Sequence, residues 1–410
     1  MFDSKLSTLP NGLNLVSIKK DTQVFSLHAG VKIGSIYEEE DEKGICHLIE
    51  HMLFKGTINR SNEVINKELE ELGGEYNAYT DLECTVCSVT ALSEELEKSL
   101  DIISDMILNS NFPEEELKKE KGVVLAEIRT SKDDVEDYSF NRINQLAYVN
   151  SPLKHDTLGT EKHVKNFTRK KLMDFYKSHY IPNDMYVSIV SPYDHDFVYK
   201  LVEKYFKDAE PKESIIKKVN VEENISGVHT SYKKDIEQST IIYLFTFPKL
   251  TKQEEMSLKI LNHKLGDSGN SMLFRSLREE RGLAYDVYTN LDTTDYVRSL
   301  YIYTAVAEEN IKESIKVIDM CLEDINEARI SFDEATINLM KKVLKTGIVF
   351  TLEDPTDLSN YVIHQMIDGE SIQAFLDDMK KIEEIKEKDI YKIAHTVLSN
   401  PTIHILKSSR

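Results

Sequence analysis

A chain of 410 residues is more than one ordinary core serves, and two domains of roughly 200 residues each are expected. Hydrophobic residues at 40% and charged residues at 30% exclude a disordered or fibrous chain. With 51 basic against 71 acidic residues the net charge is −20, so no basic stripe is available for a nucleic-acid backbone, and no run of 18 apolar residues is present to span a membrane.

The predicted elements run as follows. The start, Met1-Phe2-Asp3-Ser4-Lys5, lacks the basic-then-apolar pattern of a secretory signal. After a turn at Pro10-Asn11-Gly12, strands are expected near 13–18 and 24–34, then a helix from about Gly44 and a strand near 76–91. Helices are expected near 93–109, 114–132 and 168–179. Around 208–228, Asp208-Ala209-Glu210-Pro211-Lys212-Glu213-Ser214 breaks the pattern and reads as a connector. Beyond it come strands near 228–247 and helices near 252–265, 308–326 and 332–350. Four cysteines, Cys46, Cys84, Cys87 and Cys321, make no disulfide framework and suit a reducing, cytoplasmic setting.

An offset of 214 residues lays the chain on itself: Thr90-Ala91-Leu92-Ser93-Glu94-Glu95 faces Thr304-Ala305-Val306-Ala307-Glu308-Glu309, and the run from Val24 to Ile33 faces that from Gln238 to Phe247. The expectation is two tandem α+β domains, 1–215 and 216–410, each an antiparallel-rich sheet packed with helices.

His47-Leu48-Ile49-Glu50-His51 carries the sharpest chemical signal. On a helix, His47, Glu50 and His51 share a face, while Ile45, Leu48, Ile49 and Met52 bury the others. Two imidazoles one turn apart bind one zinc ion, and the acid between them is placed to take a proton from water. With 12 histidines and 71 acids in the chain, chance yields roughly 0.06 such patterns. A third ligand is required, and Glu120 or Glu127 on the 114–132 helix offers one; the two lie two turns apart on one face beside an apolar stripe of Leu117, Val124 and Ile128. At the 214-residue offset the motif faces Leu261, Lys264 and Leu265, so the second half has no equivalent ligands and one zinc per chain is expected.

His47-x-x-Glu50-His51 followed by Met52-Leu53-Phe54-Lys55-Gly56-Thr57, with Glu127 downstream, resembles the pitrilysin/insulinase family of inverted-motif zinc peptidases, in particular its processing-peptidase branch with half-length bacterial members. The resemblance implies His47, His51 and Glu127 as ligands, Glu50 as general base, and Glu120 as the carboxylate that holds a ligand histidine. It implies that Gly73 to Thr80, with Asn77, Ala78 and Tyr79, pairs with substrate backbone. Met272 to Tyr285 resembles the family's C-terminal signature, which gives Arg278 and Tyr285 as donors to the substrate or to developing oxyanion charge. The implied protein is a bacterial zinc metalloendopeptidase that cleaves extended peptides inside a clam-shell chamber, of which one chain forms half and a homodimer the whole. Basic peptides are candidate substrates on charge grounds. The rival readings are a non-catalytic subunit or a zinc-dependent peptide-binding protein of the same fold, against which the complete His47/Glu50/His51/Glu127 set argues. Cys84-x-x-Cys87 falls in a strand pattern, where i and i+3 point to opposite faces, and reads as structural; Glu38-Glu39-Glu40-Asp41-Glu42 reads as a solvated face.

Overall fold

The computed structural model describes residues 2–409. Strands β1 (Asp3–Thr8), β2 (Asn14–Lys19), β3 (Val24–Val31), β4 (Glu75–Thr80), β5 (Thr85–Leu92) and β6 (Met185–Ser191) form one sheet in the order β1-β2-β6-β3-β5-β4. Strands β7 (Gly227–Lys233), β8 (Ser239–Thr246), β9 (Ala284–Thr293), β10 (Arg298–Val306) and β11 (Thr402–Ser408) form a second, in the order β7-β11-β8-β10-β9. All pairings are antiparallel except β2 with β6 and β7 with β11.

The helices are α1 (Ile45–Leu53), α2 (Asn62–Glu70), α3 (Leu96–Leu108), α4 (Glu114–Asp133), α5 (Val135–Ala147), α6 (Glu161–Asn166), α7 (Arg169–His179), α8 (His195–Phe206), α9 (Lys252–Leu265), α10 (Ile311–Asn326), α11 (Glu334–Glu353), α12 (Pro355–Ile367), α13 (Ala374–Glu384) and α14 (Glu387–Val397). None is long and apolar enough to cross a membrane among the described residues. The run expected as one strand near 76–91 is a hairpin, β4 and β5 joined by Asp81 to Cys84, while the strands expected near 228–247 are β7 and β8. The repeat is visible in the elements: β5, a 3₁₀ turn at Ser93–Glu95 and α3 correspond to β10, a 3₁₀ turn at Glu308–Asn310 and α10.

The compact units are interleaved rather than two contiguous blocks on either side of residue 215. The first comprises Met1–Thr130, Asp156–Val219 and Val349–Gln373; the second comprises Ser131–His155, Asn220–Ile348 and Ala374–Arg410. Two equivalent helices have traded places. Both α5 and α12 follow a long helix after a one-residue break, and in each that residue is an aspartate: Asp134 accepts from Glu136 N and Asp137 N, Asp354 from Thr356 N and Asp357 N. In the second unit, Ile143, Ala147 and Tyr148 at α5 pack on Ile242, Leu244 and Tyr303 of the sheet. In the first, Leu358, Val362 and Ile363 of α12 pack on Val16, Ile18, Val190 and Val86. Each sheet is thereby covered on a second face as well, which is why β3 and β8 are buried almost end to end instead of alternating.

The opposite face of the first sheet carries the larger core. There Ile45, Leu48, Ile49 and Met52 of α1 join Leu117, Val124 and Ile128 of α4, the stripe expected from the sequence, so two facing helices share one apolar seam. Gly44 opens α1 at φ 91°, where a Cβ would lie 2.6 Å from the Leu158 carbonyl oxygen, so only glycine fits this entry.

Candidate metal centre and active site

The polar face of α1 meets α4 at a cluster of three potential ligands. His47, His51 and Glu127 each bring one donor atom, all within 4.8 Å of one another. Glu127 Oε2 lies 3.7 Å from His47 Nε2 and 3.5 Å from His51 Nε2, and it is buried without a hydrogen-bond donor. A buried carboxylate oxygen with no donor is costly unless a cation satisfies it. Two ligands on a tetrahedral zinc with bonds near 2.0–2.1 Å are about 3.3 Å apart, so the observed spacings fit that ion closely. Burial, with the neighbouring His51 charge, brings His47 down to about 4, which keeps its imidazole neutral and able to ligate.

Glu120, one helical heptad before Glu127, turns its carboxylate to His51. His51 Nδ1 donates to Glu120 Oε2 at 3.1 Å, which leaves His51 Nε2 for the cluster. Lys55 Nζ lies 3.0 Å from the other oxygen of the same carboxylate. Burial acts to raise Glu120, but the bonds from His51 and Lys55 outweigh it and hold the group below the ordinary glutamate range. Burial likewise acts to lower His51, and the bond to Glu120 with the charges of Glu127 and Glu50 reverses it.

Glu50 stands on the same face of α1. Its Oε2 accepts a 2.6 Å hydrogen bond from Thr80 Oγ1, at the end of β4. Burial lifts Glu50 above the usual carboxylate range, against the opposing effect of the Thr80 bond. A cleft of about 280 Å3 gathers Glu50, His51, Lys55, Glu120, Tyr76, Asn77 and Ala78. Strand β4 is the sheet's edge, paired with β5 on one side alone, so its other backbone edge is open to an extended chain. Asn77 and Ala78 line the cleft; the Tyr79 side chain is engaged instead with Asn360 and His364.

Arg278 and Tyr285 belong to the second compact unit. Arg278 sits on a π-helical turn, Phe274–Glu279, with its guanidinium 4.8 Å from the Phe274 ring and 5.4 Å from that of Tyr285. Both side chains are exposed, Tyr285 at 74%. Leu261 and Leu265, opposite the zinc motif in the repeat, are fully buried in the core of that unit.

The roles of three residues at the site are not legible in the sequence. Thr80 and Lys55 are ordinary polar residues whose partners are set by tertiary contact. Glu38 was read as part of a solvated acidic run, and the structure corrects this: Glu38 is 5% exposed and caps the motif helix, Oε2 accepting from Gly44 N and Oε1 from Cys46 N, both at 2.9 Å. The carboxylate meets the unsatisfied N–H groups and positive end of α1. Glu39, Glu40, Asp41 and Glu42 stay at or near the surface, so the run misleads at one position only.

Residues 15–161 match the family model for insulinase, peptidase family M16, and residues 166–344 match that for the peptidase M16 inactive domain. An uncharacterized zinc protease of Rickettsia felis is 30% identical over 405 residues, covering 97% of this chain and 95% of that protein. The uncharacterized zinc protease YmxG of Bacillus subtilis is 31% identical over 354 residues, covering 85% and 84%. Among solved structures, a protease from Helicobacter pylori superposes with a TM-score of 0.92 at 22% identity, covering 99% of this chain and all of that one. The chain belongs to the insulinase family of peptidases, M16, as a zinc-protease-like member, with its cluster of potential metal ligands in the first unit.

Proposed function

We propose that the protein is a zinc-dependent endopeptidase acting on extended peptides, with His47, His51 and Glu127 as the ligands and Glu50 as the general base. The observation that carries this is the convergence of two imidazole nitrogens on the donor-less Glu127 Oε2, with Glu50 beside them. Zinc bound there supplies Lewis acidity toward a carbonyl oxygen and a water of lowered pKa. Glu50 holds Oε2 on Thr80 and keeps Oε1 to accept a proton from water, then returns it to the departing amine. Its burial makes the carboxylate a stronger base than an exposed glutamate. Glu120 fixes the His51 ring, and the open edge of β4 takes the substrate backbone by strand addition. Main-chain pairing makes little demand on sequence, which suits unfolded or extended substrates, basic ones being favoured by the net charge. Arg278 and Tyr285 enter this reading as hydrogen-bond donors to the substrate, and the working unit as a homodimer.

A peptide-library digest followed by mass spectrometry tests it. Internal cleavage that stops with chelator and returns with zinc is expected, together with a zinc-loaded Glu50→Gln variant that retains the metal and loses at least 100-fold in turnover. Unchanged turnover by Glu50→Gln removes Glu50 as the base. Peptide retained without product by the zinc-loaded wild type favours a binding protein.

A further inference from the structure

A second grouping of potential ligands lies in the first unit, at the tip of the β4–β5 hairpin. Asp81, Cys84 and His364 bring one donor atom each, all within 4.8 Å of one another. Cys84 Sγ donates to Asp81 Oδ2 at 3.4 Å, and His364 Nδ1 lies 3.9 Å from that same oxygen. The turn fixes the carboxylate, because Asp81 Oδ1 accepts from Glu83 N and Cys84 N, both at 2.7 Å, and Oδ2 is left for the other two.

The imidazole is fixed from its other side. Tyr79 gives its one phenolic proton to Asn360 Oδ1 at 2.7 Å, so at 2.9 Å its oxygen must accept from His364 Nε2. With Nε2 engaged by Tyr79, Nδ1 is the ring nitrogen on the side of Asp81 Oδ2. Nδ1 and Oδ2 stand across a gap too long for a hydrogen bond, beside a thiol that is fully buried. A cation seated in that gap is within reach of all three donor atoms. On tetrahedral zinc, with bonds of about 2.0 Å to nitrogen or oxygen and 2.3 Å to sulfur, such ligand pairs are roughly 3.3–3.5 Å apart. The S···O spacing already matches, and the N···O spacing is about 0.6 Å wide of it.

We propose that Asp81, Cys84 and His364 form a second metal site, specific for a borderline thiophilic divalent cation of the zinc class rather than magnesium or calcium. Metal binding releases the Cys84 thiol proton to solvent and leaves a thiolate ligand. Asp81 and His364 are each about one-third exposed, at 37% and 31%, which gives the ion an entry path and a position for water. The bound ion pins the hairpin tip to α12. Thr80, the residue before Asp81, is the donor to Glu50, so this ion acts as a structural clip for the strand end beside the proposed base. The site stands without the peptidase reading and raises the expected content from one ion per chain to two.

Cobalt distinguishes the two sites, since only a thiolate ligand gives a near-ultraviolet sulfur-to-cobalt charge-transfer band and the first cluster holds no sulfur. Titrating the metal-stripped full chain with Co2+ is expected to develop this band up to one equivalent, with two ions bound in total by elemental analysis. Cys84→Ser is expected to abolish the band and bind one ion; His51→Ala is expected to keep the band and also bind one. Asp81→Asn, which retains the thiol, is expected to weaken the ion giving the band at least tenfold. No band in the wild type, a band that survives Cys84→Ser, or an Asp81→Asn affinity equal to wild type overturns the proposal. A band that persists while His51→Ala still binds two ions overturns the assignment of the first cluster alone.

Discussion

Glu38 makes stability depend on pH in a direction set by its burial. The desolvated carboxyl is pushed up to about 7 from its ordinary 4.5, with Cys46 N and Gly44 N pulling the other way. Between these two values the folded protein holds a proton that the unfolded chain releases, so stability is greatest below pH 4.5 as far as this group is concerned. It falls as pH rises through the interval and levels off above about 7. A difference of that size, at 1.36 kcal/mol per pKa unit, corresponds to about 3 kcal/mol. Glu38→Gln keeps the shape but cannot ionise, so it is expected to lose this component. The assay is urea unfolding of wild type and variant at intervals from pH 5 to 8, read as the difference between the two at each pH, which cancels the groups they share. Wild type is expected to lose stability relative to Glu38→Gln as the pH rises. Parallel profiles, or a wild type that gains on the variant with rising pH, refute the reasoning; the latter would mean that the two N–H donors and the end of α1 outweigh desolvation.

Glu120→Gln, which weakens the anchor on His51 Nδ1 and leaves Lys55 without its carboxylate, is expected to lower zinc affinity about 10–100-fold in a chelator competition, with helix content unchanged. Thr80→Val removes one hydrogen bond to a charged group, worth about 1.5–3 kcal/mol, and is expected to cut turnover by roughly tenfold or more at unchanged zinc content. Ile363→Ala on α12, fully buried against Cys84 and Val86, is expected to destabilise the fold by about 2–5 kcal/mol in urea titration. Tyr285→Phe and Arg278→Lys, both exposed, are expected to leave the melting temperature within about 2 °C of wild type and to lower kcat/KM on peptides.

The parts of the site legible in the sequence are those written in helical periodicity. His47, Glu50 and His51 share a face because 3.6 residues make a turn, and the stripe of Leu117, Val124 and Ile128 orients Glu120 and Glu127 for the same reason. The repeat and the strand runs at β2, β3, β5, β7 and β8 were legible too, whereas β1, β6, β9, β10 and β11 were not expected as strands. The exchange of α5 and α12 was hidden because each helix follows its own half in sequence. It also falls at a different offset, 220 residues between Val135 and Pro355, so the register that reveals the strands misses it. Glu38 was masked by four acidic neighbours, and nothing local separates the one that turns inward. His364 lies 280 residues from Cys84, and no spacing rule connects them; Cys84 and Cys87 are as separate as the strand pattern requires, Cys84 finding its partners in the turn and on α12.

The reciprocal trade of α5 and α12 has a consequence for any attempt to divide this chain. A fragment ending near residue 215 would leave Val16, Ile18 and Val190 bare, and the remainder would leave Ile242, Leu244 and Tyr303 bare. Neither piece made alone carries the layer that seals its own sheet. A single nick in the patternless stretch 210–226 of the finished protein severs one peptide bond and no such layer, so the two products remain clasped, each holding a piece of the other.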